Sequence, residues 1–244
     1  MLTALKYHVM VAFCLCFTGL LQAQHIGRIN FTEIKENIEN PTGEYYYPSL
    51  QDRILKHDTT LVYKHYKHLY YGCVFQDSYH PYGNSNAKKE FLDTYEVGNN
   101  DSAIVKGKAV LRENPVDIEV TLKLILAYLE SGDTASAKLY GRHYFAFLDV
   151  IYASGDGLTQ ESAYVVISVD DEYRIVGDLG LNVKQQELLN GCDLLIFVKR
   201  GQRKFRKKPI RELYFNVQMP LMSLSKSFKD TDLPDPDNDS DDDE

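Results

Sequence analysis

Up to Ser154 the chain repeats its apolar residues at helical spacing, and from Gly155-Asp156-Gly157 onward it stops doing so. Phe31, Ile34 and Ile38 fall at i, i+3 and i+7, and Asn30 with Glu33 forms a capping-box start, so a short helix is predicted over 30–40. A second short helix is predicted over 49–57, and a third runs to about Cys73 on the stripe Val62, Tyr66, Leu69 and Cys73. Four more are predicted over 86–97, 101–113, 116–130 and 134–153. After the glycine turn the pattern becomes that of strands. Ala163 to Val169 (AYVVISV) is a short β-branched run, Asp193 to Val198 is another, and Leu213, Phe215, Val217 and Met219 alternate with polar residues. Residues 183–189 read as a further strand, and 170–181 fit a short helix or a strand equally. Helices first and strands later imply an α+β fold: N-terminal helical hairpins over 24–154, followed by a small antiparallel sheet over 155–229 packed on them.

Within the helical part the sequence repeats weakly. Gly98, Ser102, Ala103 and Gly107 recur as Gly132, Ser136, Ala137 and Gly141, at an offset of 34 residues. That is the period of tetratricopeptide helix pairs, in which a small residue lets two helices approach closely. Thr121 stands where such a repeat has a large aromatic, so the likeness is partial. Ala103 and Ala137 are the expected close contacts.

The ends have a composition of their own. Lys6, the apolar run Val9 to Leu21 and Ala23 before Gln24 read as a cleaved signal peptide over 1–23. The run is too short for a spanning helix, which needs about 20 residues. Phe13 and Leu15 precede Cys14 and Cys16 where a lipoprotein signal has a small residue. The chain is therefore expected to be exported, periplasmic or extracellular, and not an integral membrane protein. At the other end Asp232, Asp235, Asp237, Asp239, Asp241, Asp242, Asp243 and Glu244 make residues 230–244 a solvated acidic tail. The overall charge of −8 argues against nucleic acid as the main partner.

Candidate chemistry is scattered. Arg200, Arg203, Lys204, Arg206, Lys207 and Lys208 form the centre of a basic segment between the last two strands, suited to an envelope protein or an anionic surface. His65 and His68 at i, i+3, with His57 and His80 nearby, are a candidate His cluster. No recognised metal-ligand spacing accompanies them, and no metal or cofactor is expected. Asp156, Asp170, Asp171 and Glu172 offer paired carboxylates. Ten tyrosines between 45 and 95 suit either a binding surface or half-buried helix faces. Cys73 and Cys192 are either one disulfide or two small buried hydrophobes.

Gly155-Asp156-Gly157 leading into AYVVISV, then Asp171-Glu172-Tyr173, Gly191-Cys192-Asp193 and Leu213-Tyr214-Phe215-Asn216-Val217, resemble the domain of unknown function 4919 family of exported bacterial proteins. The resemblance implies export and one shared architecture, and it assigns no activity, cofactor or site residue. No established catalytic motif is present. The sequence therefore reads first as a non-enzymatic interaction or binding module of the cell envelope. The other reading is an envelope hydrolase using scattered carboxylates or the His57/His65/His68/His80 cluster.

Overall fold

The structure, a computed structural model, describes residues 29–82, 85–198, 204–205 and 208–231. The signal peptide over 1–23 lies outside them. So do the acidic tail from residue 232 and Arg200, Arg203, Arg206 and Lys207 of the basic segment. Lys204 and Lys208 fall on the two strands of a short separate ribbon, β4 (Lys204–Phe205) and β5 (Lys208–Pro209).

Among the described residues seven α-helices come first: α1 (Phe31–Glu39), α2 (Tyr47–Leu55), α3 (Tyr63–Gly72), α4 (Asn86–Glu96), α5 (Asn100–Glu113), α6 (Ile118–Glu130) and α7 (Thr134–Tyr152). Their starts are set by short polar side chains. Asn30, Ser85, Asn99, Asp117 and Asp133 each accept a backbone N–H of the following first turn. After α7 come β1 (Tyr164–Val165), α8 (Val169–Asp178), β2 (Val183–Leu189), β3 (Cys192–Phe197), β6 (Glu212–Asn216) and α9 (Gln218–Thr231).

The 34-residue repeat is a repeat of turns. Gly98 and Gly132 both adopt left-handed φ values, 76° and 81°, which glycine accepts without a Cβ clash. Asn99 N–H donates to the Thr94 carbonyl and Asp133 N–H to the Tyr128 carbonyl, closing the same helix end 34 residues apart. Ala103 and Ala137 are both buried at the helix contacts. Gly107 and Gly141 are not equivalent. A Cβ on Gly107 would meet Leu124 and Phe91 at 2.8 Å, whereas one on Gly141 meets nothing within 4 Å.

The sheet corrects the expectation of an antiparallel one. Its order is β1-β6-β3-β2, with β2, β3 and β6 antiparallel neighbours and β1 parallel to β6, so it is mixed. The ambiguous segment decided this. Residues 169–178 are helix α8, and a helical crossover returns the chain in the direction it left, so β1 and β2 point the same way. The run AYVVISV is correspondingly not one long strand. Only Tyr164 and Val165 pair, and Ser168 then caps α8 by accepting the Asp171 N–H. The last strand also ends early: Asn216 Oδ1 accepts the Gln218 N–H, and the chain turns into α9, so Met219 is helical.

Two apolar clusters hold the body together. The larger joins α1, α2, α3, α7 and α8 to the sheet through Tyr70, Tyr71, Phe147, Ile175, Leu195 and Phe215. The smaller, around Phe91, Ala103, Leu124 and Tyr140, lies between the helical hairpins. Tyr47, Tyr66, Tyr70 and Tyr71 are core residues, so much of the tyrosine-rich segment is spent inside. Cys73 and Cys192 are both free and buried, which resolves their alternatives in favour of small hydrophobes. Among the described residues no helix is long and apolar enough to cross a membrane.

Candidate functional site

Three helix starts and one loop meet at a polar cleft. Ser85 fixes the start of α4 by accepting the Lys88 N–H, which aims Lys88 towards the starts of α6 and α8. The ammonium, on a residue only 6 % exposed, reaches Asp170 at 2.7 Å, Glu119 at 3.0 Å and Asp117 at 3.2 Å. Burial pulls this ammonium down, but Asp117, Asp170 and Glu119 outweigh it and hold Lys88 above the usual lysine value. One cation thus ties the second half of the repeat to the β region.

The cleft beside it has a volume of about 270 Å³ and is walled by Tyr79, Tyr82, His80, Asn114, Asp117, Asp170 and Asp171. Asp171 sits in the first turn of α8 and accepts the Tyr70 hydroxyl proton at 2.7 Å. Burial, opposed by the Tyr70 bond and assisted by the Asp117 charge, pushes its carboxyl up to about 7. Cys73 also borders the cleft, but burial pushes its thiol up to about 12, so it is no thiolate nucleophile at neutral pH.

Behind the cleft lies a carboxyl pair. Glu172 is fully buried, and neither of its carboxyl oxygens meets a hydrogen-bond donor. Burial, then the charges of Asp193 and Asp171, push it up to about 9, so at neutral pH it keeps its proton. Asp193 Oδ2 accepts from Gln186 Nε2 at 2.8 Å, and Gln186 Oε1 accepts from the Tyr173 hydroxyl at 2.8 Å. Asp156 belongs elsewhere. Its carboxylate accepts the Ser162 hydroxyl and the Leu158 N–H within its own turn.

The four candidate histidines are not gathered. His65 lies between the Val62 N–H and Glu44 Oε1. His68 stacks on Tyr45 with centroids 3.9 Å apart, and Asn37 Nδ2 lies 3.1 Å from its Nε2. It is therefore buried, because Tyr45 of the 40–46 loop folds over it. His80 is on the cleft, and His57 pairs with His143. Among the described residues no group of three or more His, Cys, Asp or Glu is placed to hold a metal ion. Sequence reasoning singled out Asp170, Asp171 and Glu172 but missed Lys88, Asp117, Asp193 and His143. The signals for Lys88 and Asp117 were their positions beside Ser85 and Pro115 at helix starts; what they would pair with was not local.

The fold and cleft define an α+β protein of repeat-like helical hairpins closed by a small mixed sheet. The segments Gly155-Asp156-Gly157, Asp171-Glu172-Tyr173, Gly191-Cys192-Asp193 and Leu213–Val217 are neighbours in it. Tyr214 N–H donates to the Gly157 carbonyl and Val217 N–H to the Gly191 carbonyl. Residues 32–226 match the family described as domain of unknown function (DUF4919), and the chain belongs to that family. Neither the curated proteins nor the solved structures gave a match.

Proposed function

We propose that the protein is an exported, non-enzymatic binding module of the cell envelope, and that its ligand is a small polar molecule bearing an amino group. The observation that carries the reading is the cleft itself. Asp117 and Asp170, with Glu119 beside them, converge there on one cation, Lys88, and Asp171 lines the same cleft, so hydrogen-bond acceptors and negative charge are in excess. Tyr79 and Tyr82 add flat apolar walls of the kind that small-molecule sites use. Export is supported by the Lys6, Val9–Leu21, Ala23 pattern, and N-terminal sequencing of natively expressed protein should begin near Gln24. A chain still starting at Met1 would sink that part.

Calorimetric titration with glucosamine, glucose and gluconate tests the ligand class. Glucosamine should bind best, and Asp170→Asn should weaken it by roughly tenfold, the worth of one charge-assisted hydrogen bond. Equal binding of gluconate, or no saturable binding of the amine, would refute it.

One observation favours a second reading, hydrolysis. Asp171 holds or releases a proton near neutrality and faces the cleft, as a general acid or base must. Turnover of a panel of aryl glycosides and esters, lost in Asp171→Asn while binding persists, would select it over pure binding.

A further inference from the structure

A second pocket, of about 330 Å³, lies between the end of α2, the second half of α5 and the middle of α7. Tyr140 apart, its charged and titratable walls are all potential cations: His57, His143, Lys108 and Arg112. Among the described residues no carboxylate lines it, and neither Lys108 nor Arg112 enters an ion pair. The remaining wall is apolar, with Leu111 and the Tyr140 ring its largest surfaces.

His57 is held there under strain. It follows the C-cap of α2 at φ 54°, the left-handed position that glycine ordinarily fills. Its N–H donates to the Ile54 carbonyl, and the Asp58 N–H donates to the Arg53 carbonyl, so the helix end is well closed although the residue is a histidine. Strained non-glycine residues persist where the surroundings over-determine them, and they concentrate at ligand sites. What over-determines His57 is its ring. Nδ1 lies 2.9 Å from His143 Nε2, and the ring meets Tyr140 edge-on at 4.8 Å between centroids. His143 Nδ1 lies in turn 2.9 Å from the hydroxyl of the buried Tyr66.

Counting protons gives this chain a direction. Tyr66 O–H donates to His143 Nδ1, and His143 Nε2–H donates to His57 Nδ1. Reversing the order leaves the buried phenol proton without an acceptor among the described residues. Both rings are then neutral, in keeping with the burial that pulls His143 down to about 4. His57 Nε2–H is the donor left over. A backbone-anchored ring, oriented through two buried groups, thus offers one N–H in a pocket with two unpaired cations and apolar walls.

We propose that this pocket binds a small organic carboxylate with an apolar body, the carboxylate between His57 Nε2–H, Lys108 and Arg112 and the body against Tyr140 and Leu111. The site is separate from the Lys88 cleft and does not depend on how that cleft is used.

Benzoate is the probe, with benzylamine and benzyl alcohol as its cationic and neutral counterparts. Binding is followed on the full mature chain by the histidine ring signals in NMR, with His57 assigned through His57→Asn, a residue that tolerates the left-handed backbone. Benzoate should saturate and move the His57 and His143 signals, while benzylamine should not. Lys108→Gln/Arg112→Gln should weaken benzoate by tenfold or more with an unchanged melting curve, since both side chains are exposed. Asp170→Asn should leave benzoate binding as in the parent, which separates this site from the cleft. The proposal is overturned if benzoate fails to saturate, if benzylamine binds as well, or if the double variant binds benzoate like the parent.

Discussion

Glu172→Gln should make the protein insensitive to pH in a range where the parent weakens. Glu172 releases its proton near its ordinary value of 4.5 in the unfolded chain and near 9 in the folded one. Between those values the folded chain binds more protons than the unfolded chain, so stability falls as pH rises. Each full pH unit is worth about 1.36 kcal/mol and the slope falls off as pH nears 9, so the span from pH 7 to pH 9 removes about 2 kcal/mol from the parent. The window is chosen to isolate this group. Asp171, pushed up to about 7, has lost most of its effect by then, and His143, pulled down to about 4, acts only below neutrality and in the opposite sense. Glutamine keeps the shape and has no proton to lose. Urea unfolding of both proteins at pH 7, 8 and 9 reads the effect as a midpoint shift at constant slope. The variant should hold its stability across the window and exceed the parent at pH 9. Parallel losses in the two proteins would mean that Glu172 does not retain its proton, and the account of the buried carboxyls would fail.

The matched glycines of the repeat should respond oppositely to alanine. Gly107→Ala drives a Cβ against Leu124 and Phe91, both fully buried, and should cost about 1–3 kcal/mol, whereas Gly141→Ala meets open space and should gain about 0.5–1 kcal/mol of helix propensity; thermal melts check both. Lys88→Met strands Asp117, whose side chain is 9 % exposed, and should cost about 3 kcal/mol near pH 8. Acid should restore part of that loss by protonating Asp117, so a deficit that is the same at pH 5 and pH 8 would argue that Lys88 acts through packing alone.

Much of the architecture was legible because it is written in neighbours. Asn30 caps its helix as the sequence implied, accepting the Glu33 N–H on Oδ1 at 3.2 Å, which is the N-cap half of the capping box. Gly98 and Gly132 announced two helix ends, and the positive φ at both follows from needing no Cβ there. The change of period at Gly155 separated helices from strands because side chains on a helix recur every 3.6 residues and on a strand every two. Strand lengths were less legible. A β-branched run such as AYVVISV suits any buried backbone, and the capping by Ser168 and the turn at Asn216 end the strands before their apolar runs end.

The sites needed the tertiary structure. Lys88 and Asp170 are 82 residues apart, Tyr70 and Asp171 are 101 apart, and His57 and His143 are 86 apart. No period or cap encodes such pairs. They exist because the α8 crossover carries Asp170, Asp171 and Glu172 back onto the helical body, and because α7 is long enough to serve both apolar clusters and lay His143 beside the end of α2. The carboxyl protons follow from the same packing. An aspartate or glutamate in a sequence carries its ordinary proton affinity, and burial near other acids, as at Glu172 beside the charges of Asp193 and Asp171, moves that affinity across neutral pH.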